Sequence, residues 1–235
     1  MYDPNKQQWN DDYREGKVLL MDKPLEWTSF DVVKKVRILT GISKVGHAGT
    51  LDPLATGLLI VCTGKFTKKI NEYMAAEKEY TGTFTLGATT PTYDLESEPV
   101  YHAPFEHLTM DDLRSATEGF KGDIQQVPPA FSAIKKAGTP AYILARKGKE
   151  VKMEPRKINI SVFDILSLEG PVVQFRVVCS TGTYIRSLAY DFGLAVGAGA
   201  YLSSLRRTRI GDFQVDNAMG IKDFSEQVQA AKTSI

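Results

Sequence analysis

The sequence predicts an α+β fold, a mixed and largely antiparallel sheet flanked by helices. Apolar residues alternate with a period of two in some segments and recur at helical spacing in others. These two kinds of segment interleave irregularly, without the regular strand–helix repeat of a doubly wound sheet. At 235 residues, with 43% hydrophobic and 24% charged side chains, the chain can build one large domain, or a domain with a substantial insertion.

Lys17–Met21 reads as a short strand that ends at Asp22-Lys23-Pro24. Thr28 or Ser29 then caps a helix whose Val32, Val36 and Leu39 share one face and whose end is marked by Gly41. Lys34, Lys35 and Arg37 lie off that stripe. The apolar run Leu58–Thr63 is a strand, and a helix follows with Phe66, Ile70, Tyr73 and Met74 on one face and Lys65, Lys68 and Lys69 on the other. In Lys78–Gly87 the residues Tyr80, Phe84 and Leu86 share one side of a strand. Residues 88–105 contain Pro91, Pro99 and Pro104 and read mostly as loop.

Thr109 starts a short helix through Leu113, Ala116 and Phe120. The Pro128-Pro129 pair excludes regular structure around it, and a brief helix is expected near Ala141–Arg146. Ile158–Leu168 and Val172–Ser180 form a hairpin turned at Gly170-Pro171. A helix from about Tyr184 buries Ile185, Leu188, Ala189 and Phe192. Tyr201–Ile210 is a strand, and Ile221–Ala231 is a terminal helix with Phe224 and Val228 inward.

Composition excludes several classes of function. No apolar run approaches the ~20 residues needed to cross a bilayer, and Met1–Gly16 is polar with charges of both signs, unlike a signal or transit peptide. Cys62 and Cys179 sit in apolar strands without a partner at motif spacing, as buried thiols of a reducing, cytoplasmic compartment do. Three scattered histidines and two cysteines supply no metal set. The net charge of +1 hides an asymmetry. Residues 133–157 hold eight Lys or Arg against Glu150 and Glu154, whereas residues 88–119 hold seven acids against Arg114. Separated blocks of opposite sign suit a protein that presents one face to a polyanion.

The densest constraint lies in Gly46-His47-Ala48-Gly49-Thr50-Leu51-Asp52-Pro53-Leu54-Ala55-Thr56-Gly57. Three glycines allow close approach to the main chain. Pro53 fixes its own φ and drives Asp52 out of the helical region, so one carboxylate is held in a rigid loop. This stretch resembles the catalytic loop of pseudouridine synthases of the TruB type, which isomerise the T-loop uridine of tRNA. Further resemblances follow in the family's order: Lys78-Glu79-Tyr80, Thr181-Gly182-Thr183-Tyr184-Ile185-Arg186-Ser187-Leu188, and Ala200-Tyr201-Leu202-Ser203-Ser204-Leu205-Arg206-Arg207-Thr208. The resemblance as a whole covers about Gly16 to about Phe213.

The resemblance implies a pseudouridine synthase fold with a basic RNA-clamping insertion at about 126–157. The catalytic domain would span 16–213, after a polar extension at 1–15 and before a C-terminal helix at 214–235 in place of a PUA domain. It also implies roles for particular residues. Asp52 is the catalytic carboxylate, with attack on the base, attack on the sugar and proton removal all chemically open to it. Arg186 pairs with Asp52, Tyr80 stacks on the flipped base and Tyr184 helps to wall the pocket. Leu202 supplies an apolar contact to the base, while Arg206 and its neighbour Arg207 meet phosphate. His47 fills the space left by the extruded uridine, and Lys23 supports the site. Lys135, Lys147 and Lys149 of the basic block hold sugar-phosphate.

The reaction moves one glycosidic bond without gain or loss of atoms, so neither a cofactor nor a metal is expected. The expected partner is the T-arm of tRNA, bound by a monomer with no obligatory protein partner. Besides the expected lack of a PUA domain, the more consequential departure from the family, Thr90-Pro91-Thr92 carries Pro where relatives commonly have Asp, in the loop that leads to Asp94.

Overall fold

In the structure, a computed structural model, residues 12–101 and 103–233 are described. The chain runs through β1 (Val18–Lys23), α1 (Ser29–Thr40), β2 (Val45–Ala48), β3 (Ala55–Thr63), a 3-10 stretch at Gly64–Lys69, α2 (Ile70–Ala75) and β4 (Lys78–Leu86). After β5 (Ala88–Thr89) and β6 (Val100–Tyr101) come α3 (Met110–Thr117) and β7 (Gly122–Gln126). A small ribbon of β8 (Lys135–Lys136) and β9 (Thr139–Pro140) leads into α4 (Ala141–Arg146). Then follow β10 (Arg156–Glu169), β11 (Val172–Cys179), α5 (Ile185–Ala195), β12 (Ala200–Ile210), β13 (Phe213–Gln214) and α6 (Ile221–Thr233). The expected mixed α+β architecture is present, and the pairings β1–β3, β2–β3, β7–β10, β10–β11 and β12–β13 are all antiparallel.

The chain divides into two compact units, one made of residues up to Glu79 with those from Arg206 onward, the other of Tyr80–Leu205. It passes between them inside β4 and inside β12.

The first unit is centred on β3, which lies between β1 and β12 and also carries β2. Every residue from Leu58 to Thr63 is buried. Leu59 and Val61 join a core with Val32, Val33 and Val36 of α1 and Phe224 and Val228 of α6, while Leu58, Ile60 and Cys62 join a second cluster with Ile210 and Val215. Apolar groups on both faces explain why this strand reads as a continuous hydrophobic run and not as an alternation. Burial also pushes the Cys62 thiol up to about 11, as expected for an inert interior cysteine. The cap of α1 resolves to Thr28, whose hydroxyl accepts from the Asp31 amide while the Asp31 carboxylate accepts from the Thr28 amide. Ser29 is thereby left free for another contact.

Two sequence expectations need correction in this unit. Residues 12–15 form a helical turn and Tyr13 is buried in the core, so the ordered fold begins before residue 16. The rest of the expected extension, residues 1–11, lies outside the described residues. The single helix expected through Phe66–Met74 is a 3-10 stretch followed by the six-residue α2. Gly64 takes a left-handed φ of 52°, and the Thr67 hydroxyl bonds back to its carbonyl, which favours the tighter turn. Met74 is accordingly exposed, while Phe66, Ile70 and Tyr73 pack on the second cluster.

In the second unit β4, β11, β10 and β7 are neighbours in that order. Its core is aromatic. Phe84 stacks on Phe175 at 4.1 Å and meets Phe163 and Phe192 at 6.2 and 5.8 Å. β7 was not expected, because Gly122-Asp123-Ile124-Gln125-Gln126 has a single apolar residue. Pairing with β10, Ile124 opposite Ile158, fixes it as a strand.

Candidate active site

β2 and β3 form a hairpin in register His47↔Val61 and Ala48↔Ile60, and Asp52 lies in the connection at its end. This connection is held almost residue by residue through its main chain. The Ser29 hydroxyl donates to Leu51 O at 3.1 Å and accepts from the Leu51 amide at 2.9 Å. The Glu26 amide donates to Pro53 O, and the Ala55 amide closes a turn on Asp52 O at 3.0 Å. Lys23 is fully buried, and its ammonium donates to the carbonyls of Pro24, Trp27 and Pro53. Lys23 is thus a buried cation that fastens the loop carrying Asp52.

Burial is the main reason the Lys23 ammonium falls to a pKa of about 8; the Asp52 carboxylate opposes that fall and Arg207 reinforces it. The sign of the consequence is fixed. An amine near 8 in the fold and 10.5 when unfolded binds fewer protons in the native state between those values. Its unfavourable contribution is complete below pH 8 and disappears as pH rises toward 10.5. Measured by urea unfolding, the wild type should therefore gain on Lys23→Met by up to ~1.4 kcal/mol per pH unit across that window. A flat difference would mean that the ammonium is not held in a dry site.

His47 is half-buried at the end of β2. Burial lowers its pKa, against a hydrogen bond with the Gly49 backbone that raises it and the charge of Arg207 that lowers it further. Arg206 and Arg207, neighbours on β12, point to opposite sides as strand geometry requires. Arg206 makes a two-pronged pair with Asp22 at 3.0 and 2.8 Å and stays partly exposed. Arg207 is buried and bonded to backbone carbonyls, so the expectation that both arginines meet phosphate fails for it.

The remaining candidates lie in the second unit. Tyr80 is buried on β4, and Leu202 is buried on β12, where its amide donates to Tyr93 O at 2.9 Å. Tyr184 immediately precedes α5, its amide and carbonyl both bonded to the side chain of buried Gln126, at 2.8 and 3.0 Å. The guanidinium of Arg156 lies 4.6 Å over the Tyr184 ring. Two residues on, Arg186 is 6% exposed and donates to Phe131 O at 3.0 Å and Thr92 O at 3.3 Å. Its Nε stands 3.6 Å from the carboxylate of Asp94, which is equally buried.

Sequence reasoning did not name Asp94 as a partner of Arg186, though a signal existed. An arginine embedded between Ile185 and Leu188 on a buried helical face demands a carboxylate, and the acidic segment from 94 onward is the richest source. The loop presenting Asp94 is tightly built. Tyr93 has φ 65° and stacks on Tyr190 at 4.1 Å, while the Thr90 and Thr92 hydroxyls donate to Asp94 O.

The basic insertion leaves Lys135, Lys147 and Lys149 exposed. Arg146, by contrast, approaches Glu96 at 3.7 Å and Lys157 pairs with Asp123 at 2.8 Å. The insertion is joined to the start of α5 by three sets of bonds, namely Gln126 on Tyr184, the Ser187 hydroxyl on Val127 O and Arg186 on Phe131 O.

The chain that carries the Asp52 loop matches known proteins over most of its length. Residues 37–185 match the N-terminal domain of TruB family pseudouridylate synthases, and residues 186–234 match a tRNA pseudouridylate synthase B C-terminal domain. The chain belongs to the TruB family of pseudouridylate synthases. Its relatives include tRNA pseudouridine synthase B of Flavobacterium johnsoniae, 54% identical over 93% of this chain and 99% of that protein. The protein of the same name from Phocaeicola vulgatus is 49% identical over 91% of this chain and 94% of its own. Among solved structures, one chain of a Cbf5–Nop10–Gar1 complex superposes with a TM-score of 0.75 at 30% identity, covering 97% of this TruB-family chain. The match spans 58% of that longer chain.

Proposed function

We propose that this chain is a tRNA pseudouridine synthase that converts the T-loop uridine at position 55 to pseudouridine. The uridine is extruded from the loop, and Asp52 initiates the breaking and remaking of its glycosidic bond. The observation that carries this reading is the Asp52 hairpin, with one carboxylate on a main chain fixed at residues 51, 53 and 55 and coupled to a buried cation. A group that must meet a reacting atom within a fraction of an ångström needs such a mount.

Tyr80 and Leu202 would receive the face of the extruded base, and Tyr184 would stand at its rim. Arg186 would complement negative charge that develops during the reaction. His47 would occupy the gap left in the RNA, and its lowered pKa keeps it a neutral ring at pH 7, able to enter a stack of bases. Lys135, Lys147 and Lys149 would run along the T-arm phosphates, with Arg206 a further contact. The catalytic domain, from about residue 16 to 213, would carry all these roles, with 126–157 as its RNA-binding insertion.

The recognition half of this proposal is tested by binding a T-arm hairpin at several salt concentrations. Replacing Lys147, Lys149 and Lys152 together by Glu should weaken binding and flatten the log–log salt slope by about 1 per lysine. An unchanged slope would contradict a phosphate-contacting insertion.

A further inference from the structure

We propose that Arg207 is a positioning residue for the reaction: its guanidinium clamps both ends of the Asp52 loop and so sets where the carboxylate stands. This rests on the functional reading above and extends it to a side chain that meets neither solvent nor, on that reading, the RNA.

Arg207 is 1% exposed and, with Lys23, is among the largest fully buried side chains of the described residues. Its Nε donates to Leu58 O at 2.8 Å and its Nη2 to Gly49 O at 3.1 Å. Gly49 precedes Asp52 by three residues and Leu58 follows it by six, so one rigid planar group spans the loop from its entry to its exit. Only a guanidinium offers donors in a fixed fork that can serve two carbonyls in this way.

The backbone on the other side is shaped to receive it. Gly57 has φ 101°, and a Cβ there would stand 2.3 Å from Arg207 O and 2.8 Å from Arg207 N. Gly49 has φ 85°, and a Cβ there would lie 3.5 Å from Arg207 Nη1. The two glycines that flank Asp52 in the motif thus border the same arginine. Its charge also acts on Lys23 and His47. Burying two cations so near each other is unfavourable without an anion. Asp52 and the helix-capping Asp31 are the carboxylates whose charge reaches Lys23. The loop is therefore built around a cationic floor, with Lys23 fastening its middle and Arg207 its ends.

The test uses the full chain with Arg207→Gln, Arg207→Lys, Gly57→Ala and, as a core-destabilised control, Val36→Ala. The first readout is the maximal single-turnover rate on a T-arm hairpin, beside its Kd. Arg207→Gln should lower the rate by about 100-fold, the scale set by ~1 Å of misplacement, with Kd within threefold. Arg207→Lys, which keeps the charge but reaches one carbonyl at a time, should recover part of the rate. Val36→Ala, with comparable thermal destabilisation, should keep it. The second readout needs no catalysis: amide hydrogen exchange at Leu51 and Ala55 should accelerate in Arg207→Gln and not in Val36→Ala.

Should Arg207→Gln fail to fold, Gly57→Ala, which pushes the arginine's backbone away from β3, should show both signatures. Rates within threefold of wild type in both variants, or loop exchange no faster than in the control, would overturn the proposal. A wild type that forms no pseudouridine would contradict the functional reading instead. The exchange experiment would still decide whether Arg207 holds the loop.

Discussion

An Asp52→Asn variant is expected to lose isomerisation by about 1,000-fold or more while it folds and binds T-arm RNA as the wild type does. The substitution is nearly isosteric, and main-chain contacts that hold the loop remain: Ser29 on Leu51, Lys23 on Pro53, and the Asp52 carbonyl, which Asn keeps, on Ala55. The charge and its nucleophilic or basic oxygen are removed, and with them one of the anions whose charge reaches Lys23. Single-turnover kinetics beside a binding isotherm would separate the two effects. If the Asn variant turned over within tenfold of wild type, another group would have to supply the chemistry.

The second large effect belongs to the buried pair of Arg186 and Asp94. Both side chains are almost wholly enclosed, and the guanidinium has already committed donors to Thr92 O and Phe131 O. Removing one partner of a buried ion pair costs ~3–5 kcal/mol. Asp94→Ala should therefore lower thermal stability markedly. Asp94→Asn, which can still accept the Glu96 amide at 3.0 Å, should lower it less. Because Arg186 follows Tyr184 at the start of α5, shifting its guanidinium by loss of the Asp94 charge should also reduce kcat, by about 100-fold, more than it raises KM. Differential scanning calorimetry and steady-state kinetics on Asp94→Asn would check both parts. A variant as active and as stable as wild type would assign the pair to neither task.

Much of the fold was legible because local chemistry and burial agree. Thr28 and Thr109 both cap helices through the same reciprocal bond with an Asp three residues on, and Gly170-Pro171 turns the antiparallel hairpin of β10 and β11. What was not legible came from tertiary pairing. β7 has too little hydrophobicity to announce itself and exists because β10 lies beside it. The Phe66–Met74 segment has helical periodicity, but a left-handed Gly64 and the Thr67 hydroxyl tighten its first turns.

The candidate site divides in the same way. Motif order named the carboxylate, the tyrosines and Arg186. The groups that hold them in place, Gln126, Asp94 and Arg207, are scattered in sequence and become visible only through their hydrogen bonds. Arg207 shows the difference most clearly. Two adjacent arginines look alike in a sequence, yet on a strand one must face inward, and the inward one grips the loop.

The most direct measurement is to incubate the purified chain with an unmodified tRNA transcript, with no added cofactor, and to map every pseudouridine formed at single-nucleotide resolution. Pseudouridine at the T-loop uridine alone, formed by the wild type and absent with Asp52→Asn, is the expected result. Product at other uridines only, or equal product from the Asn variant, would contradict the account.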